Sequence, residues 1–416
     1  MKQRVVITGL GAITALGEGA QALWDATTVG RSGLSRVELN GSSSRWQTAA
    51  GMVPDFKPEK YISKRKALKV MARDIQLAVA GAGLAIDDAG LKGVELNRER
   101  FGVITGSGVL NHELDELASS VQSSLDEKNK LDLKKFGEDG LAALFPLWLL
   151  KYLPNMSACH ISILFDLQGM NNTLTMGASA GMQAVGEAFR ILQRGDADLM
   201  LAGGAESKLN PVGISQYQVL GVLAEESVES GHAYCPFDKN AGGFIVGEGA
   251  GFLVLETLEH AKKRNAKIYA EITGFGASSR NGQKTAMRSA LRDAKIDPKE
   301  LDYIQACGLG IREEDAKEAE AIREVIGDSK NSWVSASKPV TGFTGFSAGA
   351  LDLIISSLAV KNQTIPPIMN LNQAQNSALQ FVTKQPMKKK IRHAMTNNFG
   401  LGGQSVSVVV KAWEEK

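Results

Sequence analysis

Cysteine is scarce in this sequence: Cys159, Cys235 and Cys307 are the only three among 416 residues, and no CxxC spacing joins them. Their odd number and spread exclude a disulfide framework and a cysteine-rich zinc site, and they fit a reducing cytoplasm. Excess charge of either sign is also missing. With 47 basic and 45 acidic residues the formal net charge is +2, so the whole molecule has no field that would steer it to nucleic acid or a membrane surface. No apolar run approaches the roughly 20 residues that span a bilayer. Met1-Lys2-Gln3-Arg4 before Val5-Val6-Ile7 mimics the start of a signal peptide, but Gly9, Gly11, Gly17 and Glu18 break the run and no cleavage site follows. No metal or cofactor is expected, since no ligand spacing unites the five histidines.

What is present is ordinary globular composition, 44% hydrophobic and 22% charged, with an unusual 44 glycines that imply tight turns and close backbone contacts. The length favours two joined domains of about 150 to 200 residues. Short apolar runs at Val5 to Thr8, Gly102 to Thr105, Leu199 to Ala202, Gly251 to Leu255 and Val406 to Val410 read as strands buried on both faces. Between them, Ala67 to Ala82, Gly181 to Gln193 and Lys284 to Asp293 carry helical spacing. Alternating strands and helices predict an α/β layered architecture.

An internal repeat points to a duplicated fold. Ile7-Thr8-Gly9-Leu10-Gly11-Ala12 returns as Ile272-Thr273-Gly274-Phe275-Gly276-Ala277, and Ala85-Ile86-Asp87-Asp88-Ala89 has its counterpart in Arg292-Asp293-Ala294-Lys295-Ile296. The expected division is 1–255 and 256–416. A phosphate-binding glycine loop is a poor alternative, because the full GxGxxG and its acidic residue are absent.

The repeat stands with Arg194-Gly195-Asp196-Ala197-Asp198, Gly203-Gly204-Ala205-Glu206, Pro236-Phe237-Asp238, Gly247-Glu248-Gly249 and Asn398-Phe399-Gly400-Leu401-Gly402-Gly403. Over nearly the whole chain this set resembles the β-ketoacyl synthase family. The resemblance implies a thiolase-like, five-layered α-β-α-β-α fold made of two similar halves, working as a dimer. It also implies a cysteine nucleophile on a strand-to-helix elbow and two assisting histidines.

At those positions the sequence departs from the family. Counting back from Gly195, the nucleophile falls on Ala178, and the first histidine becomes Cys307 in Ala306-Cys307-Gly308-Leu309-Gly310-Ile311. The second becomes Phe343 in Thr341-Gly342-Phe343. Retained family positions are Lys338, Asp315, Glu318 and Phe399, and a buried charge network is the expected role of the charged ones. Arg280-Asn281-Gly282 also makes a short loop where the family walls its site.

The combination is most like the chain length factor of a type II polyketide synthase. That resemblance implies a silent subunit whose partners are an active ketosynthase and an acyl carrier protein, with an elongation tunnel shaped between the two subunits. In such subunits the lost cysteine is commonly glutamine, whereas here it is Ala178. Candidate tunnel or interface residues are Leu110, His112, Leu114, Leu117, Phe145, Leu149 and Tyr152, several of which would equally serve as core. Lys64, Arg65, Lys66 and Lys69, followed by Arg73, form a candidate docking surface for an acidic carrier protein. A competing reading takes Gly177-Ala178-Ser179-Ala180-Gly181 as a nucleophile elbow of a serine-dependent acyl hydrolase or acyltransferase, with Ser179 attacking and His232, His260 or His393 as base. Cys307 has no basic sequence neighbour to activate it.

Overall fold

The computed structural model describes residues 2–41, 44–110, 112–224, 234–280, 282–327 and 329–414. The main strands of the first half are β1 (Val5–Thr14), β2 (Phe101–Gly106), β3 (Asn171–Leu174), β4 (Leu199–Glu206) and β5 (Gly249–Thr257). Those of the second are β6 (Ala270–Ser278), β7 (Tyr303–Gln305), β8 (Trp333–Ser335), β9 (Gln380–Phe381), β10 (His393–Phe399) and β11 (Ser405–Ala412). Their hydrogen-bonded order is β9-β8-β7-β10-β11-β6-β1-β5-β4-β2-β3. From the centre outward each half repeats one scheme: two long antiparallel neighbours (β1 and β5, β6 and β11), a further antiparallel partner, then parallel strands. In the main sheet the halves meet through the short pairing of Val5–Ile7 with Ala270–Ile272, and isolated bridges also join Val246 to Phe343 and Asp238 to Ala374.

The helices used below are α1 (Arg73–Asp88), α2 (Leu114–Ser123), α3 (Met156–Phe165), α4 (Ala180–Arg194), α5 (Pro211–Val219), α6 (Gln283–Ala294), α7 (Arg312–Ile326) and α8 (Ala348–Asn362). Alternation along the strands sorts their side chains into layers. Leu199, Leu201 and Val254 join α1 and α3 in one outer core, while Met200, Ala202 and Leu255 face α4 and α8. Val406, Val408 and Val410 approach the same two helices from the other half. Val409 and Met395 turn outward to α6 and α7. The result is the mixed α/β, thiolase-like layering expected from the resemblance, with α4 and α8 in the middle.

The repeated Thr-Gly-x-Gly-Ala has a steric cause. A Cβ on Gly9 or Gly11 would lie 2.3 Å from Ala85 O and 2.1 Å from Gly81 O of α1. On Gly274 or Gly276 it would lie 2.2 Å from Ala290 O and 2.1 Å from Ala286 O of α6. Each strand therefore presses backbone against helix, which only glycine permits. The polar anchor repeats as well: Leu10 N donates to Asp88 and Phe275 N to Asp293. Thr8 and Thr273 are each skipped in strand pairing, a matching bulge in both halves.

The helix expected over Ala67–Ala82 is broken. A 3-10 turn over Arg65–Val70 carries the basic residues, Met71 is extended and buried, and α1 begins only at Arg73. Beside the break, Arg73 turns inward to Glu248 and Asp74 accepts the Ser207 N–H at 2.6 Å. These contacts anchor the first turn of α1 apart from the basic turn. Arg73 therefore leaves the proposed docking surface. Among the described residues no helix is long and apolar enough to cross a membrane.

Candidate functional site

Ala178 lies on the turn between β3 and α4, where Gly177 adopts φ +58° to let the chain reverse into the helix. The half-buried methyl of Ala178 packs on a cluster that contains Cys307, Leu309, Phe343 and Phe399. Three positions far apart in sequence thus converge with Phe399 on one apolar cluster. Phe343 is 2% exposed; its ring centroid is 4.5 Å from Phe244 and 6.1 Å from Tyr217. Phe244 also walls a neighbouring cavity of about 300 Å³ lined by Ala49, Ile214, Leu223 and Val246.

Cys307 follows β7, and its Sγ accepts the Phe399 N–H at 3.3 Å. Burial pushes this thiol up to about 12, against the nearby Lys338 charge, which favours the thiolate. It therefore remains a protonated, buried thiol at neutral pH. An alanine methyl and a phenyl ring supply neither nucleophile nor base, and the protonated thiol is a weak hydrogen-bond donor directed at the Phe399 carbonyl at 3.5 Å.

Around this cluster the charged side chains form a hydrogen-bonded framework, while the buried Tyr234 hydroxyl and Asn398 side chain have no hydrogen-bond partner among the described residues. Asp315 and Glu318 sit three residues apart on one face of α7. Glu318 accepts the N–H groups of Cys307 (2.8 Å) and Gly308 (2.9 Å), and Asp315 those of Phe237 (2.8 Å) and Gly310 (3.1 Å). Burial raises Asp315 to about 8 and Glu318 to about 7, in spite of these N–H donors. Lys338 does not pair with either carboxyl. Its Nζ bonds Asp352 at 2.6 Å and the Cys307 carbonyl at 2.5 Å. Burial opposes its charge, but Asp352 outweighs that cost and holds the lysine above its ordinary value. Asp352 also accepts from Gln305 (2.9 Å) and Ser337 (2.6 Å). Sequence reasoning missed Asp352 and Gln305, as well as Tyr217 and Phe244 against Phe343.

Ser179 does not point into an open site. It is wholly buried, and its hydroxyl donates at 3.4 Å to the carbonyls of Asn398 and Gln404. It makes no side-chain cap on α4 either. His260 is bound to Glu256 and His393 lies near the Glu300 carbonyl; His232 lies outside the described residues. The hydrolase reading thus lacks its serine and base among the described residues.

The remaining candidates separate. Leu110 and Tyr152 belong to the outer core of the first half. His112 packs tilted against Trp148 and edge-on against Tyr152, with centroids 4.8 and 4.3 Å away. Phe145 and Leu149 are exposed, Leu117 is half-buried, and Leu114 lines an apolar groove of about 770 Å³ with Pro211, Val212, Val219 and Leu220. Sequence reasoning did not single out the α5 side of that groove. Lys64, Arg65, Lys66 and Lys69 are all exposed and make no ion pair with a described residue. No group of three or more His, Cys, Asp or Glu among the described residues could hold a metal ion.

Comparison with known proteins agrees with this architecture. The family Beta-ketoacyl synthase, N-terminal domain, matches residues 2–261, and Beta-ketoacyl synthase, C-terminal domain, matches 269–372. The chain is 35% identical to 3-oxoacyl-[acyl-carrier-protein] synthase 2 of Coxiella burnetii, covering 98% of each chain, and 34% identical to that of Vibrio cholerae, covering 99% of each. Among solved structures, the ishigamide ketosynthase/chain length factor superposes with a TM-score of 0.86 at 28% identity, covering 100% of both chains. A type II polyketide synthase acyl-carrier protein in complex with its ketosynthase bound to the hexaketide gives 0.81 at 27%, covering 99% of this chain and 100% of that one.

Proposed function

The chain belongs to the β-ketoacyl synthase family, and on that premise we propose that it is a subunit without condensing activity of its own, a chain length factor paired with an active ketosynthase. Its place is fatty-acyl or polyketide chain synthesis. The observation that carries this reading is the apolar cluster of Ala178, Cys307, Phe343 and Phe399 at the elbow, enclosed by an intact framework around Lys338 and Asp352. A fold kept for packing while its reactive groups are replaced fits a role in assembly.

Surface chemistry supports a partner subunit. Of the fifteen exposed large hydrophobic side chains among the described residues, thirteen lie within residues 109–170 or at Val219 and Leu220. Such concentration marks a surface meant to be covered. Strand β3, which among the described residues pairs with β2 alone, follows directly on that stretch of chain and ends the sheet. Leu114 and the groove beside it would then form this subunit's share of the tunnel wall. The exposed cations Lys64, Arg65, Lys66 and Lys69, which make no ion pair with a described residue, suit an acidic acyl carrier protein.

The relatives named as synthases raise the opposite reading, an active condensing enzyme. Expression of each subunit alone and both together separates the two. This chain alone should give no elongation and the pair should; elongation by this chain alone would refute the proposal.

A further inference from the structure

At the end of α8 remote from the elbow, two lysines meet over one ring. The Nζ of Lys267 lies 4.5 Å and that of Lys361 4.4 Å from the ring centroid of Tyr269, a buried residue. Ala348, at the opposite end of α8, belongs to the elbow cluster, and the length of the helix, about 20 Å, separates it from Lys361. The two ammonium groups are not equivalent. Lys267 donates to Asp88 at 2.7 Å, and Asp88 also accepts the Tyr269 hydroxyl (2.8 Å) and the Leu10 N–H (2.8 Å). Asp88 is thus engaged by three donors, whereas Lys361 makes no ion pair with a described residue.

The helix end supplies little counter-charge. Gln363 N–H donates to Ala359 O and its side-chain amide to Val360 O, while the Thr364 hydroxyl donates to Asn362 O at 3.0 Å. The carbonyls that would otherwise attract a cation are already bonded. One ring shared by two cations satisfies neither fully, and the less well paired of two neighbouring like charges gives up its proton first. Desolvation, followed by the Lys267 charge, holds Lys361 below the ordinary lysine value in spite of Asp88. The residue is nevertheless exposed, so a small molecule in solution reaches its nitrogen. Three properties coincide here: an amine that loses its proton readily, a position partly withdrawn from water, and a neighbouring cation that favours negative charge.

We infer that Lys361 is a modification site for carbon dioxide, at which the neutral amine becomes a carbamate. The Nζ lone pair attacks the carbon of CO2 and a C–N bond forms. One C=O bonding pair moves onto oxygen, and the proton displaced from nitrogen goes to solvent, so nothing is oxidised or reduced. The side chain turns from a cation into an anion, and its repulsion with Lys267 becomes attraction. The modified lysine fastens the end of α8 to the Lys267–Tyr269 segment that leads into β6, which links the stability of this junction to dissolved CO2.

The test incubates the full-length chain with isotopically labelled bicarbonate and carbonic anhydrase in mildly alkaline buffer, traps carbamates as ethyl esters with triethyloxonium, and locates them by peptide mass spectrometry. The chain's α-amine, which is largely neutral under these conditions, shows that trapping works. Label at Lys361 should exceed that at Lys64, Lys66 and Lys390, which are exposed and make no ion pair with a described residue, by about fivefold, in proportion to its larger neutral fraction. Lys267→Gln removes the neighbouring cation and should cut the Lys361 label by about threefold or more while leaving the α-amine label unchanged. Bicarbonate, compared with chloride at equal ionic strength, should raise the melting temperature of the wild type but not of Lys361→Arg, which keeps the charge and the ring contact. A labelled α-amine with no excess at Lys361, an undiminished label in Lys267→Gln, or equal melting shifts in wild type and Lys361→Arg would overturn the inference. None of these readouts depends on condensing activity or on a partner subunit.

Discussion

Replacing Lys338 by methionine should destabilise the protein severely even though no catalytic group is touched. The lysine and Asp352 have side chains only 3% and 2% exposed, so neither can turn to water when its partner is lost. Methionine keeps most of the volume, which confines the perturbation to charge and hydrogen bonding. It removes the 2.6 Å contact to Asp352 and the 2.5 Å contact to the Cys307 carbonyl. Gln305 and Ser337 still donate to Asp352, but neither carries a charge. Breaking one side of such a pair costs about 3 to 5 kcal/mol. Urea unfolding followed by far-UV circular dichroism should show that loss at an unchanged slope. Lys317→Met is the control: its pair with Glu314 is solvent-exposed and worth less than about 1 kcal/mol. A Lys338→Met loss no greater than the control's would refute the claim that this network holds the site's framework.

Other expectations follow from the same geometry. Gly11→Ala and Gly276→Ala should each cost about 1 to 3 kcal/mol by thermal unfolding, because both would force a helix backbone away from its strand. Asp315, Glu318 and Asp74 are raised to about 8, 7 and 7, chiefly by burial. Free carboxyls ionise near 4, so the stability linked to these three is full below about pH 4 and is lost as pH rises through 7 to 8; among pH 5 to 9 buffers the melting temperature should decline toward the alkaline end. Iodoacetamide under native conditions should modify the half-buried Cys159 well before the fully buried Cys307, as read by peptide mass spectrometry; rapid alkylation of Cys307 would contradict its account as an inert thiol.

Much of this fold is legible in the sequence because its signals are local. Glycines pressed onto a helix must recur wherever the same packing recurs, so the Gly9/Gly11 and Gly274/Gly276 pairs expose the duplication directly. The elbow is legible for the same reason, since Gly177 and the start of α4 are adjacent in the chain. Long-range partners are not. Nothing near Lys338 in sequence marks Asp352 as its counter-ion, and the carboxyls of Asp315 and Glu318, the more obvious candidates, are occupied by backbone N–H groups instead. Ser179 misleads because a GxSxG pattern specifies a turn but not which way the hydroxyl points. Tyr152 and Leu110 illustrate a similar limit: an apolar side chain near a site reads alike whether it faces the core or a groove. The helix expected over Ala67–Ala82 breaks for a further reason, as Met71 and Arg73 are drawn inward by contacts distant in sequence.

Intact-mass spectrometry of the two subunits, incubated separately and together with an acyl-loaded carrier protein, tests the proposed silence most directly. A covalent acyl group should accumulate on the cysteine-bearing partner and never on this chain, whether it is alone or paired. An acyl adduct on this chain, at Cys307, Ser179 or any other side chain, would contradict that proposal.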